Sequence, residues 1–277
     1  MTMNPVRARL RRGEASFGVM AFEFFTPGLA PTLAAAGAEF VLLDCEHSGL
    51  GIEGVKAQCA HAHGAGIVPL VRIPSAQSHL VPPVLDAGAL GIMMPLVESA
   101  EQARALVAAC RYRPLGRRGL GFSVAHDRYT GGPALQKMQA ANEAVLTIAL
   151  IESARGVEQC EDIAAVPGLD MLWLGHFDLS DSLGVPGLFD DAGYLAAAAR
   201  LRDAAHAAGK PIGWVAGDAV QARAALAAGF QCVCIGHEVV ILRQALASAF
   251  AQARQEAPPA VPMLAGAGHC GLPAPRA

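Results

Sequence analysis

Glu152 and Asp178 each close a short apolar run, residues 145–151 and 171–177. About one helix with its connections separates them, the spacing of two successive βα units. Such units deliver both acids to one end of a parallel barrel, the end that carries the active site in barrels of this kind. Two hard oxygen ligands at that rim suit a divalent cation open to a substrate. The pair reads equally well as two ordinary strand-end acids, one capping a helix and the other in an ion pair.

Other reactive side chains recur at the same kind of position. Asp44-Cys45-Glu46-His47 follows an apolar run. Among the nine histidines, His47 is the one just past an expected strand in an acidic cluster. That suits a general base, although a surface loop histidine has the same surroundings. Arg72 ends the run 68–72, where a guanidinium needs a charged partner: an anionic or enolate oxygen, or an ion pair with Glu46 inside the barrel mouth. Asp86 lies near a helix end, where the dipole disfavours an acid, so it reads either as partnered or as simply solvated.

The elements that must place these residues alternate along the chain. Strands are expected over 17–21, 40–44, 67–72, 91–95, 147–151, 171–175, 211–215 and 232–235. They are continuously apolar, as strands covered on both faces are. Helices are expected over 28–36, 52–63, 80–87, 100–111, 156–166, 194–208, 219–227 and 239–253. Gly37, Gly64, Gly88, Gly209 and Gly229 are placed as left-handed caps. No G-x-G-x-x-G turn opens a helix, so a (β/α)8 TIM barrel fits better than a doubly wound sheet. A long connection over 111–145 breaks the rhythm and is expected on the active side. A barrel domain over 1–255 and a flexible Pro/Ala/Gly-rich tail over 256–277 complete the expected organisation.

Composition sets the outer bounds. The 277 residues are 53% hydrophobic and 16% charged, with net charge −3 and mean hydropathy +0.36. This describes a globular chain with no general attraction to nucleic acid, and no apolar run has membrane-spanning length. The arginines at 7, 9, 11 and 12 precede no apolar h-region, so no secretory signal is expected, and a cytoplasmic location is. The seven scattered cysteines suit reduced, buried thiols. Cys232 and Cys234 share one strand face but have no matching second pair for a metal.

Together these segments resemble the HpcH/HpaI family of class II, metal-dependent pyruvate aldolases. The matching pieces are F-V-L-L-D-C-E-H (40–47), V-P-L-V-R (68–72), L-D-A-G-A (85–89) and M-P-L-V-E-S-A-E-Q-A-R (94–104). R-Y-R-P-L-G-R-R-G-L-G (111–121), I-E-S (151–153) and G-H-F-D-L-S-D-S-L-G (175–184) follow in order. The resemblance implies a divalent cation (magnesium, manganese or cobalt) held by Glu152 and Asp178 and chelated by a 2-oxo acid. It implies that Arg72 stabilises the enolate oxygen, that His47 paired with Asp86 manages the proton, and that the Gly175–Asp178 backbone seats the carboxylate. It further implies a homo-hexamer built as a trimer of dimers.

Departures fall in the pocket wall. Leu150 stands where many members carry glutamine, Met20 where many carry tryptophan, and Cys45 where a small residue is usual. His176 and Phe177 replace the common residues of the G-P-x-D-L-S pattern. His176 reads as a substrate contact or as a packed rim histidine. The expected activity is reversible cleavage of a 4-hydroxy-2-oxo acid to pyruvate and an aldehyde. The alternative is decarboxylation or condensation of oxaloacetate at the same site. A keto-acid-binding barrel without catalysis is the reading from another class.

Overall fold

Side chains two apart on a strand share one face, and that rule organises the whole molecule. The computed structural model describes residues 4–255 and residue 272. β1 (Ser16–Ala21), β2 (Phe40–Asp44), β3 (Val68–Arg72), β4 (Gly91–Met94), β5 (Leu146–Ile151), β6 (Met171–Leu174), β7 (Ile212–Ala216) and β8 (Cys232–His237) close into a parallel barrel in chain order. Each expected strand is present, with no end displaced by more than two residues. The fold is a single (β/α)8 TIM barrel.

Alternation divides the core into two layers. Phe40 and Leu42, Val68 and Leu70, Leu146, Ile148 and Leu150, Trp173, Cys232 and Cys234 fill the barrel interior. Val41, Leu43, Val71, Ile92, Ala149 and Leu172 face outward into the helical layer. Full burial of each large aliphatic side chain stabilises the fold by about 1.5–3 kcal/mol. Trp173 fits because its neighbour is glycine: a Cβ at Gly213 would lie 2.1 Å from the indole ring.

The barrel floor is closed by a helix that the sequence reading passed over, Pro5–Arg11. Asn4 caps it by accepting from the Arg7 N–H at 3.0 Å, and Pro5 supplies the fixed φ of a first helical residue. Asn4 Nδ2 also donates to the carbonyls of Leu90 and Ala144 at 2.9 Å. Val6 and Leu10 join the barrel-interior core. Arg7 and Arg111 converge on Asp170 at 2.6 and 2.7 Å.

Several expectations need correction. The connection over 111–145 follows helix Ala100–Cys110 and leads into β5, so it lies at the floor of the barrel and away from the active side. Part of it is helical, Ala134–Ala144. The helix expected over 156–166 is broken at Gln159 into Ala154–Glu158 and Cys160–Ala164. Gly64 lies inside helix Ile52–Ala65, and Gly66, with φ +79, is the left-handed cap. The tail over 256–277 lies outside the described residues, residue 272 apart. Among the described residues no helix is long and apolar enough to cross a membrane, and six cysteines are free thiols.

Candidate active site

The alternation that fills the barrel continues to its rim. Asp44 follows Leu42, Arg72 follows Leu70 and Glu152 follows Leu150 on the inward face. The last inward position of β2, of β3 and just past β5 is therefore charged. β2 and β3 pair with Asp44 directly opposite Arg72. Arg72 Nε donates to Asp44 Oδ1 at 2.5 Å, and Nη1 lies 3.1 Å from Glu46 Oε2. Arg72 Nη2 is buried and has no hydrogen-bond partner among the described residues. The ion pair with Glu46 read from the sequence is formed, and Asp44 is a second anchor that the sequence reading did not assign.

Asp44, fully buried, also shapes the following turn. Its carboxylate accepts from the backbone N–H groups of Glu46 at 3.2 Å and His47 at 2.8 Å. The Ser48 hydroxyl donates to its carbonyl. This turn holds the His47 ring 3.9 Å from Glu46, with its side chain 56% exposed. Burial raises the Glu46 carboxyl above its usual range despite the nearby Arg72 and His47.

Glu152 is 4% exposed. Its Oε1 accepts from the Leu96 N–H at 2.8 Å, where the chain turns through a left-handed residue, Leu96 at φ +50. Burial, chiefly, pushes its carboxyl up to about 7, and the charges of Glu46 and Asp178 add to this. Gly175 makes room for it: a Cβ there would meet Glu152 Cβ at 2.5 Å and Oε2 at 2.7 Å. Asp178 is exposed in the first turn of helix His176–Ser182.

These groups share one cavity of about 380 Å³ at the C-terminal end of the strands. Met20, His47, Arg72, Leu150, Glu152, Gly175, His176, Phe177 and Asp178 all line it. Register explains the wall that the sequence reading missed. Met20 pairs with His237 on β8, Arg72 with Met93 on β4, and Leu150 with Trp173 on β6. Met93, Trp173 and His237 all line the cavity, as do Phe22 and Val215. His176 packs against Phe177, Phe189 and Trp214 with ring centroids 4.7, 5.3 and 5.6 Å away.

Asp86 is not brought to this cavity within the chain. It ends helix Val81–Asp86 on the return towards the barrel floor. There Arg118 Nη2 donates to it at 2.6 Å. The expected His47–Asp86 pair is therefore not formed in the chain, because a helix carries its C-terminus away from the strand ends that bear His47. The carboxylate beside His47 is Glu46.

The donor set fits a hard divalent cation. Arg72 is committed to Asp44 and Glu46, and neither Glu152 nor Asp178 forms an ion pair among the described residues. A burial-destabilised carboxylate gains most from a bound positive charge. Among the described residues no group of three or more His, Cys, Asp or Glu side chains is arranged to hold a metal. The chain would thus offer two carboxylates and leave the other positions to water and substrate oxygens.

Comparison with known proteins agrees with this geometry. Residues 21–245 match the model of the HpcH/HpaI aldolase/citrate lyase family. The chain is 36% identical over 257 residues to a hydroxypyruvate/pyruvate aldolase of Paraburkholderia phytofirmans, covering 91% of this chain and 98% of that one. It is 33% identical over 251 residues to a 2-keto-3-deoxy-L-rhamnonate aldolase of Salmonella gallinarum, covering 90% and 92%. An HpcH/HpaI aldolase from Desulfitobacterium hafniense superposes with a TM-score of 0.86 at 30% identity, covering 93% of this chain and 99% of that one.

Proposed function

We propose, from the premise that this chain belongs to the HpcH/HpaI aldolase/citrate lyase family and is an aldolase-type carbon–carbon lyase, that it reversibly cleaves a 4-hydroxy-2-oxo acid to pyruvate and an aldehyde. The observation that carries the reading is the meeting of Glu152, Asp178, Arg72 and His47 in one cavity at the C-terminal end of the strands. A divalent cation (magnesium, manganese or cobalt) held by Glu152 and Asp178 supplies Lewis acidity toward the 2-oxo group.

The chain's own residues do the rest. Arg72, fixed by Asp44 and Glu46, directs its unpaired Nη2 to the 2-oxo oxygen, where negative charge develops. His47 removes the proton of the 4-hydroxyl. The C3–C4 bond then breaks, and its electron pair passes to C3 and the 2-oxo oxygen as the aldehyde leaves. His47 holds the proton beside Glu46 and returns it to C3, which yields pyruvate. The backbone N–H groups at 176–178 begin helix His176–Ser182 and lack intrahelical partners there, which suits the substrate carboxylate, while the Gly175 N–H donates to the Ile151 carbonyl at 3.0 Å. The buried Met20 and Leu150 and the half-exposed Phe177 bound the space.

Pyruvate methyl exchange in D₂O tests enolate formation without knowledge of the acceptor. Exchange is expected with Mg²⁺ or Mn²⁺ and is lost on chelation. No exchange, or exchange indifferent to chelator, overturns the reading. Faster turnover of oxaloacetate than of any 4-hydroxy-2-oxo acid would instead favour decarboxylation at the same site. A hexameric assembly accompanies this reading: helix Glu238–Arg254 exposes Ile241, Leu242, Leu246 and Phe250, each at least 39%. Light scattering of the purified chain checks it.

A further inference from the structure

The wall formed by β7, β8 and β1 stands across the barrel from Arg72 on β3 and Glu152 just past β5. A 2-oxo acid anchored at those two residues has Met20, Phe22, Val215 and His237 on the facing side of the cavity, where its aldehyde portion would lie.

His237 is held rigidly in this wall. Gly236, with φ +65, turns the end of β8, and the imidazole packs against Phe22 with centroids 4.9 Å apart and the rings tilted by 59°. The next residue locks the pair: the Glu238 carboxylate accepts from the backbone N–H groups of Phe22, Glu23 and Phe24 at 2.9, 2.6 and 3.0 Å. His237 Nδ1 is buried with no hydrogen-bond partner among the described residues. An imidazole with unmet hydrogen-bonding capacity in an apolar wall gains from a ligand hydroxyl. Burial lowers its pKa, which favours the neutral ring.

The charge inventory points the same way. Among the described residues lining the cavity Arg72 is the one Lys or Arg, and both of its ion pairs are internal. A second carboxylate on the substrate would sit in an apolar wall without a cation, in the field of Glu46, Glu152 and Asp178.

We infer that His237 is a specificity-determining residue: the site takes uncharged aldehydes, favours those bearing a hydroxyl near the carbonyl, and rejects those bearing a carboxylate. This rests on the aldolase reading given above. It is tested by aldol addition of pyruvate to glycolaldehyde, propionaldehyde, succinic semialdehyde and the methyl ester of succinic semialdehyde. The wild-type protein and the variants His237→Leu and His237→Asn are compared, and pyruvate methyl exchange is followed in the wild type.

We expect kcat/KM for the ester to exceed that for the free acid by about tenfold or more. We expect the glycolaldehyde-to-propionaldehyde ratio to fall about fivefold or more in His237→Leu and to be largely kept in His237→Asn. Comparing this ratio between variants cancels differences in folded fraction and in aldehyde hydration. The inference is overturned if the free acid is used as well as its ester, or if His237→Leu leaves the ratio unchanged. Absence of pyruvate exchange in the wild type overturns the aldolase reading and this inference with it, whereas exchange with the wrong aldehyde ratios overturns this inference alone.

Discussion

Arg72 and Asp44 stand directly opposite each other at the ends of β3 and β2, with Arg72 Nε 2.5 Å from Asp44 Oδ1. The pair fixes the plane of the guanidinium, and Nη2 is left without a hydrogen-bond partner among the described residues. Lysine, whose three donors share one rotatable nitrogen, lacks the fixed fork that here spreads Asp44, Glu46 and a further donor over three separate nitrogens. Arg72→Lys is expected to lower the rate of pyruvate release by about 10²-fold, and Arg72→Ala by about 10²–10³-fold. Arg72→Ala also strands Asp44 in the interior, and its thermal unfolding should reveal a loss of about 3–5 kcal/mol. Near-wild-type rates for Arg72→Ala would remove Arg72 from the reaction.

Glu152 ties pH to metal. Its carboxyl is raised from 4.5 to about 7 in the metal-free fold. Between those values the folded chain binds a proton that the unfolded chain has released, so this group's contribution to stability falls as pH rises through the window. A divalent cation binds the ionised form and reverses that loss. The melting temperature should therefore rise more on adding Mn²⁺ at about pH 8 than at about pH 6. Glu152→Gln should abolish the Mn²⁺-induced rise, which differential scanning fluorimetry can follow. A rise independent of pH, or kept in Glu152→Gln, would place the metal elsewhere.

Gly175→Ala tests the space that Glu152 occupies. The new Cβ would lie 2.5 Å from Glu152 Cβ and 2.7 Å from Oε2, so the carboxylate must move. A displacement of about 1 Å at a reacting centre costs about 10²-fold in rate, while overpacking costs about 1–3 kcal/mol in stability. A large loss of activity with a modest fall in melting temperature is expected from kinetics and calorimetry on the same sample.

Asp170 sits at the opposite end of the barrel and separates stability from chemistry. Its carboxylate takes Arg7 at 2.6 Å, Arg111 at 2.7 Å and the Thr147 N–H at 3.0 Å. Asp170→Ala leaves two buried guanidinium groups without their partner, at a cost of about 3–5 kcal/mol. The remaining folded enzyme should turn over at the wild-type rate. A selective fall in kcat without loss of stability would contradict this division.

Eight apolar runs spaced by alanine-rich helices determined the barrel, since continuously apolar strands need cover on both faces. The same reasoning located Glu152, Asp178, Arg72 and His47, because a residue just past an apolar strand has only the rim to occupy. It mislaid Asp86 and the 111–145 segment. Which end of a barrel a residue reaches depends on whether it follows a strand or a helix, and Asp86 ends a helix while the 111–145 segment follows one. The floor helix Pro5–Arg11 was legible in the Asn4-Pro5 cap signal and went unread.

Tertiary structure alone decided the rest of the site. Barrel closure fixes the register between neighbouring strands, and no local pattern encodes it. Closure set Asp44 against Arg72, Trp173 against Leu150, and β8 beside β1, so that His237 lies opposite Met20. The sequence by itself determined which residues stand at strand ends, because hydrophobic alternation is local. The cavity wall facing the substrate is built from residues far apart in the chain, and only the closed barrel brings them within contact.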